Sequence, residues 1–481
     1  MSTRLESLRR HDSWQGVHAV VAGLGVSGFA AADNLTHIGA QVTVLDESDA
    51  GDRSEKATLL EILGAQVRLG PGATARLPDA ADVVVTSPGW PPSTPLLSQA
   101  VAAGVPVWGE VELAWRLRDP EQPAPWLAVT GTNGKTTTVQ MLEAILRAQG
   151  LRSVAAGNVG LPLVEAVMDP TPYDVLAVEL SSFQLHYTAS VAAESAVVLN
   201  IAEDHLDWYA TLEDYAADKG RVYERVQRAC VYNVADPRTE QMVRDAEVSE
   251  GARAIGFTLD TPMVGMLGVV DGVLADRAFI EQRQDSAAEL CAVTDLFSAA
   301  PHMVSNALAA AALARAHGVS TSAVRDGLTS FVPDGHRNAD LGDVEGIRYV
   351  DDSKATNPHA ALSSLQGYES VVWIAGGLAK GATFDDLVRV ARGRLRGVVL
   401  LGQDRAVIAA ALSRHAPDVP VIDVGGSQTA VMDRVVGAAA DLAEPGDTVL
   451  LAPGCASMDM FANYGARGDA FAESVRRLSG R

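Results

Sequence analysis

The stretch Leu127-Ala-Val-Thr-Gly-Thr-Asn-Gly-Lys-Thr-Thr-Thr138 constrains this chain more than any other. An apolar run of strand character meets a Gly-rich turn, and a segment of helical period follows. That succession belongs to a parallel sheet, with the turn at the carboxyl edge of its strand. Its ending, Gly134-Lys135-Thr136, adds chemistry. Backbone N–H groups of a Gly-rich turn, backed by a helix N-terminus, cradle phosphate oxygens. Lys135 would reach the β- and γ-phosphates of a nucleotide, and the Thr136 hydroxyl would sit on Mg²⁺. Val129 stands where the usual phosphate loop has its first Gly, so the loop is a variant type. A turn that binds nothing would have no use for the Lys and Thr.

The rest of the chain alternates short Val/Leu/Ile runs with longer Ala/Leu-rich segments of helical period. Strands are predicted first at Val17–Ala22, Gln41–Leu45, Gln66–Leu69, Asp82–Thr86 and Val105–Trp108, a Rossmann-like series. The proline-rich Arg118–Pro125 reads as a linker. A second series holds the phosphate loop, strands at Val175–Leu180, Ala196–Ile201 and Cys230–Asn233, hairpins over Met263–Ile280, and helices His302–His317 and Ser320–Ser330. After a break at Phe331-Val-Pro-Asp-Gly-His336, a third series runs through Arg348–Asp352, Val371–Ala375, Val398–Leu401, Val421–Val424 and Thr448–Leu451. The fold class is therefore α/β, with three consecutive αβ domains expected at 1–118, 119–333 and 334–481.

At 48% hydrophobic and 20% charged residues, the 481-residue chain has ample core-forming material. A net charge of −22 excludes a general nucleic-acid or membrane-surface binder. Any site for an anion must build its positive potential locally. The three cysteines are far apart and form neither a staple nor a zinc site, which fits a reducing compartment. Arg9-Arg10 before Val17–Ala32 imitates a signal peptide, but three glycines break the run. No membrane insertion, a cytoplasmic location and a monomer are expected.

Other strand ends carry further polar groups. Gly23-Leu-Gly-Val-Ser-Gly28 opens a helix, and Asp46 ends the next strand, as in a dinucleotide fingerprint. The same turn suits any diphosphate, so NAD and a nucleotide-sugar compete as ligands. Glu179 ends an apolar strand beside the phosphate loop and could hold Mg²⁺. Asp204, His205 and Asp207 cluster after another strand, as metal ligands or substrate contacts. Lys219, among Asp218, Asp214 and Glu213, reads from the residues alone as a solvated helix lysine. In the third series Asp352, Lys354 and Thr356 could bind ribose, phosphate or a carboxylate, and Arg337 could lie over phosphates. Ala375-Gly-Gly-Leu-Ala-Lys380 and Ala452-Pro-Gly-Cys-Ala-Ser-Met458 are expected on the same sheet edge.

Taken together, Gly131-Thr-Asn-Gly-Lys-Thr136, Glu179-Leu-Ser-Ser-Phe-Gln184, Glu203-Asp-His-Leu-Asp207 and Asp352-Ser-Lys-Ala-Thr-Asn357 resemble the ATP-dependent Mur ligases across all three domains. The forms resemble those of the D-glutamate-adding branch, and the Asp-Asn-Pro-Arg pattern typical of the diaminopimelate- or lysine-adding branches is not found. The resemblance implies a Rossmann-like first domain, a central P-loop ATPase-type domain and a Rossmann-like third domain. It implies ATP-dependent addition of D-glutamate to UDP-N-acetylmuramoyl-L-alanine through an acyl phosphate, with ATP and two Mg²⁺ sites. Gly131, Thr132, Asn133, Gly134, Lys135, Thr136 and Thr137 would hold the ATP phosphates, Asn306 would face adenine, and Arg337 and Asp352 would reach phosphates and ribose. Thr136, Glu179, His205 and Lys219 would serve the metals, Lys219 after carbamylation by CO₂, which reverses its solvated reading. Lys135, His205, Lys219 and Asn158 would carry the catalysis. Ser27, Asp46, Ser87, Pro88, Gly89, Asn158 and Ser181 would bind the UDP substrate. Lys354, Thr356, Lys380, Ser457, Met458 and Tyr464 would bind D-glutamate. Departures from the family are Met303, where Asn is usual, Glu47-Ser48 after Asp46, where some relatives have Thr-Arg, and Tyr464, where Phe is frequent. Two rival classes are an NAD-dependent dehydrogenase and a nucleotide-switched binding protein.

Overall fold

The apolar runs become parallel strands in three sheets. The computed structural model describes residues 5, 7–205, 208–333, 335–425 and 431–480. The first sheet holds β1 (His18–Ala22), β2 (Gln41–Asp46), β3 (Gln66–Leu69), β4 (Val83–Thr86) and β5 (Val107–Gly109), in the order β3-β2-β1-β4-β5. All its pairings are parallel. The order reverses between β1 and β4, so the turns after those two strands open one crevice. Runs such as Val83-Val-Val-Thr86 are buried along their whole length, as strands covered on both faces must be.

The second sheet is built from β6 (Trp126–Thr130), β7 (Ser153–Gly157), β8 (Val175–Glu179), β9 (Ser195–Val198), β10 (Ala229–Asn233), β11 (Arg253–Phe257), β12 (Met266–Val270), β13 (Val273–Asp276) and β14 (Ala288–Ala292). Its order is β14-β13-β12-β11-β10-β9-β6-β8-β7. The expected hairpin over Met263–Ile280 is β12–β13, antiparallel. The helix Pro301–His317 buries an unbroken alanine run against this sheet, with Ala309, Ala310, Ala311 and Ala312 fully inaccessible. Small side chains let a helix approach that closely. β7, β11 and β14 are additions to the sequence expectation.

The third sheet comprises β15 (Ala339–Val344), β16 (Ile347–Asp351), β17 (Val371–Gly376), β18 (Leu395–Leu401), β19 (Val421–Asp423) and β20 (Thr448–Leu451), in the order β15-β16-β20-β17-β18-β19. Only β15, also unforeseen, runs antiparallel to its neighbour. The chain divides into two compact units: Met1–Ile201 with Glu213–Phe331, carrying the first two sheets, and Ala202–Leu212 with Val332–Arg481, carrying the third. The last crossing between the units lies between Phe331 and Val332. No helix among the described residues is long and apolar enough to cross a membrane.

Inside the first unit, one buried acid joins the segments on either side of β6. Glu112 is fully buried and accepts hydrogen bonds from the amides of Ala189 (2.8 Å) and Ser190 (3.0 Å), from Ser190 Oγ (2.6 Å) and from Arg116 Nε (2.7 Å). Burial by itself raises this carboxyl, but the Ser190 and Ala189 donors and Arg116 together hold it below its ordinary value. Glu112→Ala would leave the partly buried Arg116 guanidinium and the amides of Ala189 and Ser190 without their acceptor. We expect a loss of about 2–3 kcal/mol in unfolding free energy, read by denaturant melts. Because the folded carboxyl titrates below the unfolded one, its contribution is present above about pH 4.3 and is lost as pH falls through the folded value.

Candidate functional site

The phosphate loop leaves β6 and turns into the helix Lys135–Ala148. Gly134 is the N-cap at φ +85°, and a Cβ there would lie 2.4 Å from Asn306 Oδ1, so only glycine fits. Asn306 comes from the helix Pro301–His317 and is buried. Thr136 and Thr137 are buried in the first turn. Lys135 Nζ donates to the carbonyls of Gly131 and Thr132, each at 2.9 Å. The amides of Thr132 and Asn133 donate to Asn200 O and Oδ1, both at 2.9 Å. That narrows the expected cradle. Two of its amides are engaged by the protein, and the donors that can face an anion belong to the first helical turn, 134–137.

β8 pairs with β6 and delivers Glu179 beside the loop. The carboxylate is 1% exposed; its Oε1 accepts from Asn158 Nδ2 at 2.7 Å, and its Oε2 has no hydrogen-bond partner among the described residues. A buried carboxylate oxygen without a donor is an atom that a cation completes. No three His, Cys, Asp or Glu side chains among the described residues form a metal cage. Mg²⁺ does not require one, since it takes one or two carboxylates and keeps waters and substrate phosphates. Ser181 caps the short helix Ser182–His186 through a reciprocal pairing with Gln184.

The reading of Lys219 as a solvated lysine is overturned. The residue is 1% exposed, and its Nζ donates to Gly131 O at 2.9 Å and stands 4.6 Å from the centre of the Tyr215 ring. Tyr215 OH in turn reaches Thr132 Oγ1 at 3.1 Å. The neighbouring acid that suggested a solvated face, Asp218, pairs with His186 Nδ1 at 2.7 Å and is itself buried. Glu179, Lys219, Asn158 and Asn306 therefore gather around one loop. His205 belongs to the segment Ala202–Leu212 of the second unit. It sits in the left-handed region at φ +56°, with Asp204 Oδ1 accepting its amide at 2.9 Å. Asp207 lies outside the described residues.

In the second unit, β16, β20 and β17 are parallel neighbours, so their terminal loops share one edge as expected. Lys354 Nζ donates to Tyr464 OH at 3.2 Å, a bond that a Phe at that position would lack. Thr356 and Lys380 line a small cavity with Glu203, Asp204 and Asn357. Ser457 is buried while the adjacent Met458 is 67% exposed. Arg337 lies between two left-handed residues, His336 (φ +66°) and Asn338 (φ +44°), and His336 Nδ1 is fixed by Asp351 Oδ2 at 2.6 Å.

Burial pushes the Asp352 carboxyl up to about 6, against the pull of Ser364 Oγ, Arg337 and the Asn338 amide. The folded chain then holds a proton that the unfolded chain, with its Asp near ~3.9, has lost. Stability must fall as pH rises from about 4 to about 6 and stay lowered above that. Asp352→Asn is expected to remove this slope and to raise stability at pH 7.5 by at most about 3 kcal/mol, read by thermal melts from pH 4 to 8.

In the first sheet's crevice, a Cβ on Gly28 would lie 1.9 Å from Gly23 O, so the first turn of the helix Val26–His37 can pack on that carbonyl only with glycine. Ser87 Oγ reaches Gly23 O at 3.4 Å. Ser27 and Pro88 are half-buried and Gly89 is exposed. Asp46 braces the loop from within: its Oδ2 accepts from Leu24 N at 2.7 Å and Arg53 Nε at 3.2 Å, and its Oδ1 accepts from Ser48 N at 2.9 Å.

Two residues escape sequence reasoning. Asn200 holds the phosphate loop through backbone and side chain. Arg467, 1% exposed, donates to Ser353 Oγ (2.9 Å), Ser353 O (2.7 Å) and Cys455 O (3.0 Å), tying the Lys354 loop to the Ser457 loop. Nothing local marks either one, since both act on partners far away in the chain.

Comparison with known proteins gives three family matches in chain order: the MurD-like N-terminal domain of Mur ligases over 17–109, the Mur ligase middle domain over 129–314, and the Mur ligase glutamate ligase domain over 336–455. The UDP-N-acetylmuramoylalanine–D-glutamate ligase of Streptomyces coelicolor is 62% identical over 467 residues, 97% of this chain and 99% of that protein. The ligase of the same name from Thermobifida fusca is 53% identical over 468 residues, again 97% and 99%. Among solved structures, the MurF ligase of Thermotoga maritima in complex with ADP superposes with a TM-score of 0.58 at 16% identity, covering 100% of this chain and 99% of that one. That last likeness is one of fold.

Proposed function

The chain belongs to the Mur ligase family, and from that premise we propose that it joins D-glutamate to UDP-N-acetylmuramoyl-L-alanine at the expense of ATP, a step of peptidoglycan precursor synthesis. The observation that carries the reading is 62% identity over 97% of the chain to a ligase of that name. The substrates are small molecules. We divide the work among residues 1–118 for the UDP moiety, 119–333 for ATP, and 334–481 for the amino acid. A monomer in the cytoplasm fits a reaction that draws on ATP and a nucleotide-activated sugar.

A carboxylate resists attack by an amine because its negative charge repels nucleophiles. The substrate carboxylate oxygen therefore attacks the γ-phosphorus of ATP, giving an acyl phosphate and ADP. The amine of D-glutamate then attacks the acyl carbon. The tetrahedral adduct loses a proton, and collapses to amide and phosphate. Amides 134–137 and Lys135 would hold the phosphates. Glu179 Oε2 and Thr136 suit one Mg²⁺, and carbamylated Lys219 would suit a second. Bound there, Mg²⁺ would offset the charge on the transferring phosphoryl group. Asn158 holds Glu179 in register through its 2.7 Å bond. Asn306 stands beside Gly134 and is available to the base. Lys354, Thr356, Lys380 and Ser457 suit the two carboxylates of D-glutamate, with Tyr464 and Met458 flanking them. Ser27, Ser87, Pro88 and Gly89 line the uridine crevice that Asp46 braces, and Ser181 is offered to the muramoyl group.

Phosphate release from ATP with UDP-N-acetylmuramoyl-L-alanine tests this, offering D-glutamate, L-glutamate, L-alanine and meso-diaminopimelate separately. Release strictly dependent on D-glutamate is the expected result. Release with another amino acid moves the chain to a sibling reaction. Binding of ATP without any substrate-dependent release would favour a nucleotide switch, and binding of nicotinamide nucleotides a dehydrogenase.

A further inference from the structure

Resting on the reading that loop 131–137 binds ATP, we infer that Asn200 is a positioning residue that holds this loop in its nucleotide-binding shape. Within the loop, Lys135 Nζ ties the carbonyls of Gly131 and Thr132 at 2.9 Å each. Gly131 and Gly134 both have positive φ, +148° and +85°, so the Thr132–Asn133 peptide lies between two residues of high conformational freedom. Asn200 grips that peptide from outside the loop. Its carbonyl accepts from Thr132 N at 2.9 Å, its Oδ1 accepts from Asn133 N at 2.9 Å, and its Nδ2 donates to Asn133 O at 3.1 Å. The side-chain amide thus pairs with both backbone groups of one residue, as a neighbouring strand would.

The geometry follows from the sheet. β6 and β9 are parallel neighbours in register from Leu127↔Ser195 to Thr130↔Val198. Leu199 N still donates to Thr130 O at 2.9 Å, and Asn200 then continues the ladder with its side chain where the loop backbone has turned away. Asn200 is itself anchored from the β10 side. Asn233 Nδ2 donates to Leu199 O at 2.9 Å, and Ile201 N donates to Asp236 Oδ2 at 2.8 Å. Two cations hang on the peptides so fixed, since Lys135 Nζ and Lys219 Nζ both donate to Gly131 O at 2.9 Å. Holding the loop therefore also sets where both lysines start from when nucleotide arrives.

The test measures ATP and ADP binding by titration calorimetry on the full chain, for wild type, Asn200→Ala, Asn200→Asp and Asn200→Ser, beside thermal melts and the KM for D-glutamate. Asn200→Ala removes two side-chain bonds, and its nucleotide Kd is expected to rise about tenfold. Asn200→Asp keeps the acceptor for Asn133 N but loses the donor and puts a negative charge behind the loop. Its Kd is expected to rise about a hundredfold at low salt, shrinking as ionic strength increases. Asn200→Ser gives the same comparison where the Ala variant folds poorly. The KM for D-glutamate should stay at the wild-type value, which a general loss of structure would not leave untouched. Nucleotide Kd values within about twofold of wild type in the folded variants overturn the inference, since that is less than one hydrogen bond is worth. Failure of the wild-type chain to bind either nucleotide overturns instead the phosphate-loop reading on which it rests.

Discussion

Lys135→Ala is expected to lower kcat for D-glutamate-dependent phosphate release about a thousandfold, roughly 4 kcal/mol of transition-state stabilisation, with little change in melting temperature. The argument begins with charge. The chain carries −22 and must bring a triphosphate up to a carboxylate, so each local cation counts. Lys135 Nζ rests on the carbonyls of Gly131 and Thr132, bonds that it can exchange for phosphate oxygens without leaving the loop. Lys135 is only half-buried, and Gly131 O keeps its bond from Lys219, which is why removing the side chain should cost little stability. Lys135→Arg should restore little of the activity, because a planar fork cannot take the place of a compact ammonium beside Gly131. Retention of more than about a tenth of wild-type kcat by the Ala variant, under 1.4 kcal/mol, would remove Lys135 from phosphoryl transfer.

Much of this architecture is legible in the sequence, and for a definite reason. Strands buried on both faces must be continuously apolar, so Val83–Thr86, Val175–Glu179 and Val371–Gly376 stand out from the polar turns around them. Strands that break that rule stay hidden. β7 reads Ser-Val-Ala-Ala-Gly, with one β-branched residue, and β15 is an edge strand with acids at 340 and 343. The phosphate loop is legible because its shape is local. What the loop leans on is not: Asn200 lies 67 residues from Asn133, and Arg467 lies 114 residues from Ser353. Lys219 shows the same limit from the other side. Its neighbours Asp218, Asp214 and Glu213 suggest a solvated face, and only the tertiary course of the helix turns the lysine inward.

That buried lysine carries the second large expectation. Lys219→Ala should lose activity about a thousandfold, and the wild-type enzyme should lose activity when CO₂ is stripped from the buffer and regain it with bicarbonate. The Lys219 ammonium would first lose a proton; the free amine would then attack CO₂, forming an N–C bond and releasing a second proton, so that an anionic carbamate oxygen replaces the cation. A cation-binding role needs that inversion, since an ammonium 2.9 Å from Gly131 O would repel Mg²⁺ beside Glu179. A rival account is purely structural: Lys219 donates to Gly131 O and holds the loop. Lys219→Gln separates the two, because its amide can still donate to a carbonyl but cannot take up CO₂. If Lys219 only braces the loop, the Gln variant should keep most of the activity that the Ala variant loses, and bicarbonate should have no effect on the wild type. If the carbamate is needed, both variants should fall together, neither should respond to bicarbonate, and ¹³C-bicarbonate should give a carbamate resonance in the wild type that both variants lack.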